Sequence, residues 1–155
     1  MKTMSRARIS KENSPVRKRA TEEGFRSGLE YENALLLREW GVPFQYEPVS
    51  GKIHYEQPAK QRVYTPDFVL GNGVIIEVKG IFSPEDRMKH KLIKKQHPEL
   101  DIRFILQNPR QKLSKGSKTT LSQWCRQNGF QCAEKKIPKS WTKEDNILKP
   151  KCKSV

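Results

Sequence analysis

Asp67 and the run Glu77-Val78-Lys79 are the residues of this chain whose types and spacing could do chemistry: an acid, ten residues on a second acid, then x-lysine. Two carboxylates held close together repel each other unless a cation lies between them or one takes a proton. Magnesium binds one or two protein carboxylates and keeps its other positions for water and phosphate oxygens. Such a set suits metal-assisted cleavage of a phosphodiester, in which the metal stabilises charge on the phosphate and acidifies a bound water. Lys79 would orient or deprotonate that water, or neutralise charge developing at phosphorus. The same three residues would also serve as an ordinary cross-strand ion-pair cluster on a solvated face.

The elements that must position these groups are legible around them. Val74 to Lys79 is rich in β-branched residues and follows the turn signal Gly71-Asn72-Gly73, which predicts a strand entered from a hairpin. Alternation puts Glu77 and Lys79 on one face, roughly 6–7 Å apart, and Val74, Ile76 and Val78 on the other, so one face is expected to be core and the other charged. A preceding strand over 62–70 would return Asp67 beside Glu77. Upstream, Ser27-Gly28-Leu29-Glu30 is an S-x-x-E capping box. It opens a helix that carries Leu29, Leu36, Leu37 and Trp40 on one face and ends at Gly41 and Pro43. Glu30 therefore reads as a cap. Residues 44–47 read as a strand, and the stretch from Pro48 to Val63, with Gly51 and Pro58, as either a long hairpin loop or an extended connector.

Downstream, Ser83-Pro84-Glu85-Asp86 predicts a helix running through Lys95 and stopping before Pro98, with Met88, Leu92 and Ile93 available for the core. A strand over 101–107 follows, and a strand-helix-strand crossover favours parallel pairing within a mixed sheet. A basic loop over 110–118, a helix over 120–128 carrying Leu121, Trp124 and Cys125, and a short strand over 130–133 complete the α/β pattern.

The 155 residues carry a formal net charge of +14, which calls for a polyanionic partner. Residues 25–86, which hold the motif, contain six Lys/Arg against nine acids, whereas residues 87–118 contain ten against two. An acidic centre beside a basic segment suits an enzyme that grips phosphates yet keeps metal-binding carboxylates free. A basic architectural or packaging protein would have the same charge without needing Asp67, Glu77 and Lys79. No apolar run reaches membrane-spanning length and the basic N-terminus lacks a signal-peptide core, so a soluble, non-secreted protein is expected. Residues 1–24 read as a disordered basic tail and 143–155 as a basic C-terminal tail, flanking one domain over 25–142. Cys125, Cys132 and Cys152 are odd in number and lack zinc spacing, and His54, His90 and His97 read as surface or phosphate-contact residues.

Phe25-Arg26-Ser27-Gly28-Leu29-Glu30, Tyr64-Thr65-Pro66-Asp67-Phe68, Asn72-Gly73, Glu77-Val78-Lys79-Gly80, Asp86-Arg87 and the run from Gln96 to Arg103 closely resemble the endonuclease I family of short-tailed bacteriophages. The resemblance implies a restriction-endonuclease-like core, a mixed β-sheet flanked by helices, in an intertwined, segment-swapped homodimer. It implies a junction-resolving endodeoxyribonuclease acting on branched DNA, four-way junctions above all. Paired cuts would leave 5′-phosphate and 3′-hydroxyl ends, in phage recombination, debranching and breakdown of host DNA within the infected bacterium's cytoplasm. Asp67, Glu77 and the Val78 carbonyl would hold magnesium, with manganese substituting, and Lys79 would be catalytic. Glu30 would reach the partner's Asp67 and Glu77, overriding its reading as a cap alone, and residues 48–63 would form the dimer bridge. The expected DNA contacts are Arg26, Ser27, Arg87, Lys89, His90, Lys91, Lys94, Lys95, Arg110, Lys112, Lys115 and Lys118. One departure stands out: where the family pattern has a second acid between Glu30 and the bridge, this chain has Gln45, with Glu47 two residues later.

Overall fold

The structure, a computed structural model, describes residues 14–57 and 59–143. A five-stranded mixed sheet runs in the order β1-β4-β5-β6-β7, built from Phe44–Tyr46, Phe68–Leu70, Ile75–Lys79, Ile102–Leu106 and Gln131–Glu134. β4 pairs antiparallel with both β1 and β5; β5, β6 and β7 run parallel. The parallel step follows from helix α3, Pro84–Gln96, which carries the chain back between β5 and β6. Helices α1, Pro15–Glu22, and α2, Gly28–Glu39, cover one face; α3 and α4, Leu121–Gln127, cover the other.

Strand β5 is buried on both faces. Val74, Ile76 and Val78 meet the side of α1 and α2, while Ile75 packs with Phe104, Leu106 and Ile93 on the other. The expectation of a charged, open face is thus corrected: Glu77 lies under α3, where its charge must be met by protein groups rather than water. The single strand expected over 62–70 is also corrected. It breaks at Thr65-Pro66-Asp67 into β3, Lys60–Tyr64, and β4. β3 pairs with β2, Ile53–Gln57, in a separate two-stranded ribbon. Of the alternatives open for residues 48–63, the single chain adopts the hairpin, preceded by one 3₁₀ turn over Val49–Gly51.

Order begins before Phe25. Ser14 caps α1 by accepting from Arg17 N–H, Pro15 sits in its first turn, and Ala20 is fully buried against α2, so the disordered reading fails over Pro15–Glu22. Gly28 permits the close approach of these helices, since a Cβ there would lie 3.2 Å from Val16. The remainder of the expected tails, residues 1–13 and 144–155 with Cys152, lies outside the described residues. α2 ends as expected at Gly41, whose φ of +64° closes a Schellman turn with Val42 N–H donating to the Leu37 carbonyl.

The buried stripe of α2 matches the expected apolar face only in part: Leu37 is buried, and Leu29 and Trp40 pack half-buried against the core. The stripe consists of Glu30, Tyr31, Asn33, Ala34 and Leu37, while Leu35 stands 42% exposed. Asn33 explains part of the shift. Its amide donates to the Leu29 and Lys135 carbonyls and its oxygen accepts from Ile137 N–H, which clasps the segment after β7 onto α2. Asn33→Ala would strand a buried carbonyl and a buried N–H. We expect a loss of about 2–4 kcal/mol, read as a fall in Tm on the order of 10 °C; an unchanged melting curve would show that the clasp contributes nothing.

Candidate active site

The catalytic set expected from the sequence converges. Asp67 follows the break after β3, Glu77 and Lys79 share one face of β5, and Glu30 stands in the first turn of α2. Glu77 is held on all sides. Its Oε2 accepts from the Tyr64 hydroxyl at 2.8 Å, and its Oε1 lies 2.9 Å from the Lys79 ammonium and 3.6 Å from His90 Nε2. Lys79 also faces Asp86 at 3.5 Å, and Asp86 pairs with Lys89 at 3.2 Å. Charges alternate from Glu77 outward to the surface along this chain of groups.

Asp67 is aimed by backbone. Its Oδ2 accepts from Val78 N–H at 2.8 Å. Continuing the β4–β5 register, Phe68 opposite Ile76, puts Pro66 opposite Val78. Proline has no N–H to offer the ladder, so the sheet ends there. Val78 N–H is left for Asp67, and its carbonyl, directed to the same edge, has no ladder donor opposite.

Glu30 completes the acidic group from the other side. Ser27 Oγ accepts from Glu30 N–H, as a cap should, and donates in turn to Glu30 Oε1 at 2.8 Å. The remaining carboxylate oxygen accepts from Arg26 N–H, one residue before the cap, and from the Tyr46 hydroxyl. The capping box is therefore half formed, and Glu30 serves both as cap and as part of the site. The Arg26 guanidinium pairs with Glu47 at 2.6 Å and lies 3.9 Å from Asp67. Glu47 holds a left-handed backbone, φ +41°, with its N–H donating to the Asp67 carbonyl. Gln45 is exposed. Within the single chain Glu30 stands beside the chain's own Asp67.

The electrostatics divide the two central acids. Burial, and after it the neighbouring Glu77 charge, push the Asp67 carboxyl up to about 8. Burial alone would raise Glu77 too, but His90 and Lys79 beside it bring it down to about 2. Burial acts to lower Lys79, yet Glu77 and Asp86 outweigh it, so the ammonium keeps its proton at neutral pH. A buried pair of which one member holds its proton for want of positive charge is a donor set short of a cation. Asp67, Glu77 and the Val78 carbonyl fit a hard divalent ion in donor chemistry.

The expected DNA contacts separate. Lys91, Lys95, Arg110, Lys112, Lys115 and Lys118 are exposed; the last four flank or occupy the turn after β6, whose end is tied to the site by Gln107 N–H donating to the Lys79 carbonyl. Arg26 is exposed and Ser27 half-buried. Arg87 donates to the Phe82 carbonyl, Lys89 leans over the Tyr64 ring, and Lys94 donates to the Gly129 carbonyl beside Phe130. His90 is a correction: fully buried among Tyr64, Phe82 and Phe104, it cannot reach a phosphate and instead backs Glu77. Sequence reasoning gave no site role to Tyr64, Asp86 or Tyr46. The i, i+4 spacing of Asp86 and His90 after the motif was the one available signal. A cavity of about 640 Å³ lined by Tyr55, Arg62, Val63, Asp86, Met88 and Lys89 opens beside the site.

Because the folded chain raises Asp67 from 3.8 to about 8, the favourable contribution of this group is fully present below about pH 4 and is lost as pH rises through about 8. Asp67→Asn keeps an acceptor for Val78 N–H without the charge. Metal-free melts should show it more stable than the parent at pH ~9, with the gap closing toward pH ~5; a difference independent of pH would refute the shift.

The phage endonuclease I family model matches residues 13–153. Endonuclease I of Escherichia phage T7 is 47% identical over 120 residues, covering 77% of this chain and 79% of that protein. Endodeoxyribonuclease 1 of Enterobacteria phage T3 is likewise 47% identical over 120 residues, covering 77% and 78%. With its acids and lysine gathered at the end of a strand as described, the chain belongs to the phage endonuclease I family.

Proposed function

We propose that this chain is a metal-dependent endodeoxyribonuclease on a restriction-endonuclease-like core that resolves branched DNA, four-way junctions above all, by paired cuts. The observation that carries this reading is the convergence of Asp67, Glu77 and Lys79, with Glu30 beside them: two carboxylates buried side by side, of which Glu77 has the Lys79 cation and Asp67 has no close one. The names of the T7 and T3 relatives support the class of reaction.

Magnesium held by Asp67, Glu77 and the Val78 carbonyl would supply a Lewis acid at the phosphate and an acidified water, with manganese able to replace it. The chain's own residues do the rest. Lys79, cationic in this arrangement, stabilises charge on the phosphate and orients the water rather than taking its proton. The Tyr64 hydroxyl fixes the Glu77 carboxylate, and Val78 N–H fixes Asp67. Arg26 and the loop from Arg110 to Lys118 contact the DNA backbone, which positions the substrate without reading sequence. Cleavage between phosphorus and the 3′ oxygen leaves 5′-phosphate and 3′-hydroxyl ends.

Residues 48–63 support a dimer bridge. The chain turns between β2 and β3 without the Asn-Gly or Gly-x pair that two-residue hairpins favour. Ala59 sits at φ +75°, a strain of about 1–2 kcal/mol. If that turn straightens, β2 and β3 become one long strand, two chains pair along it in the same register, and each half-chain before residue 58 packs on the partner's second half. Glu30 then meets the partner's Asp67 in the geometry seen here within one chain. Twofold symmetry gives two sites for two strands of a junction, in the cytoplasm of an infected bacterium.

Two measurements test the reading. A labelled four-way junction should be cut in pairs near its branch point with magnesium, far faster than linear duplex of the same sequence, with calcium supporting binding but little turnover; Glu77→Ala should lower the rate by at least about 10²–10³. A junction bound but never cut would leave a binding protein, and equal cutting of duplex would remove branch selectivity. Magnesium binding near neutral pH should also release a proton from Asp67, seen by calorimetry in buffers of different ionisation enthalpy and absent in Asp67→Asn.

A further inference from the structure

Helix α3 touches two places of consequence. Its first turns carry Asp86, Lys89 and His90 beside the candidate site. Its C-terminal end meets the ribbon. There the Gln96 side-chain amide makes two hydrogen bonds to one residue's backbone: Glu56 N–H donates to Gln96 Oε1 and Gln96 Nε2 donates to the Glu56 carbonyl, each at 2.5 Å. Two residues earlier on β2, the His54 carbonyl meets the ring Nε2 of His97. Residues 54 and 56 present their backbone groups to the same edge of β2, the edge facing away from β3. Gln96 and His97 thus stand in for a neighbouring strand and complete an edge that would otherwise be open.

We propose that Gln96, seconded by His97, is the joint that sets the angle between the two catalytic centres of the dimer and thereby couples the second strand cut to the first. This rests on the dimer reading above. In that dimer β2 is the bridge and docks on the partner's α3, so the joint lies between subunits and sits at the opposite end of α3 from the site. A 13-residue helix is about 20 Å long, so a small rotation at its C-terminal end is carried as a larger displacement of one centre relative to the other. The first cut needs one centre only. The second needs both phosphates seated together, and a misplacement on the order of 1 Å is enough to slow it severely.

Gln96 is exposed, so its replacement leaves the core intact. The test uses full-length Gln96→Ala and Gln96→Met, the latter keeping the stem without the hydrogen bonds, on a supercoiled plasmid with an extruded cruciform, where one cut gives nicked circle and paired cuts give linear DNA. The expected result is a first-cut rate within about twofold of the parent and a nicked-circle fraction raised about fivefold or more in both variants. A nicked fraction equal to the parent's overturns the proposal, and so does an equal loss of both cuts, which would place Gln96 in support of a single centre. Sedimentation of the unsubstituted protein separates the premises: a monomer at cleavage concentrations removes the dimer and this joint with it, whereas a dimer with unchanged nicking removes the joint alone.

Discussion

Two carboxylates taken out of water side by side are the constraint around which this fold is arranged. Asp67 and Glu77 are about 5% and 3% exposed. Neither could remain there charged without compensation, and each neighbouring element supplies some: the Tyr64 hydroxyl from the ribbon, the Lys79 ammonium from the same strand, the His90 ring from α3 and the Val78 N–H from the backbone. The compensation is unequal. Glu77 receives the cationic neighbour and stays ionised, while Asp67 receives a neutral donor and a distant guanidinium and holds its proton to higher pH. The resulting centre is poised for one more positive charge.

Polar residues also occupy positions that elsewhere would be apolar. Glu30 and Asn33 lie on the buried stripe of α2, the first turned toward the site and the second clasping the segment that follows β7. His90 occupies a box of three aromatic rings on the other face of the sheet. A core assembled only for stability would place leucines at such positions. Here the sheet is sandwiched between two apolar layers, and each layer gives up part of its surface to hold a carboxylate or to tie down the chain beside it.

The strands and helices that carry the candidate site were legible because their local signals are strong. Val74 to Lys79 is β-branched and follows a turn signal, Ser83-Pro84-Glu85-Asp86 opens α3, and the crossover through that helix dictates parallel β5 and β6. What was not legible follows from tertiary burial. The apolar count on α2 points to Leu29, Leu36, Leu37 and Trp40; of these only Leu37 is fully buried, and the buried face adds Glu30 and Asn33, the latter held by Lys135 and Ile137 far along the chain. α1 was missed because one alanine is its only fully buried side chain, although Ser14-Pro15 is a sound helix start. The 62–70 stretch splits at Pro66, although the residues on both sides are strand formers.

Pro66 has a wider consequence. Nineteen amino acids carry the backbone N–H that one more rung of the β4–β5 ladder would need at that position, and proline does not. An extra rung would favour the sheet and close the edge at which Val78 N–H holds Asp67. At this one buried residue, improvement of the fold and preservation of activity are opposed, so a search for more stable variants that ignored function would be drawn toward replacing it.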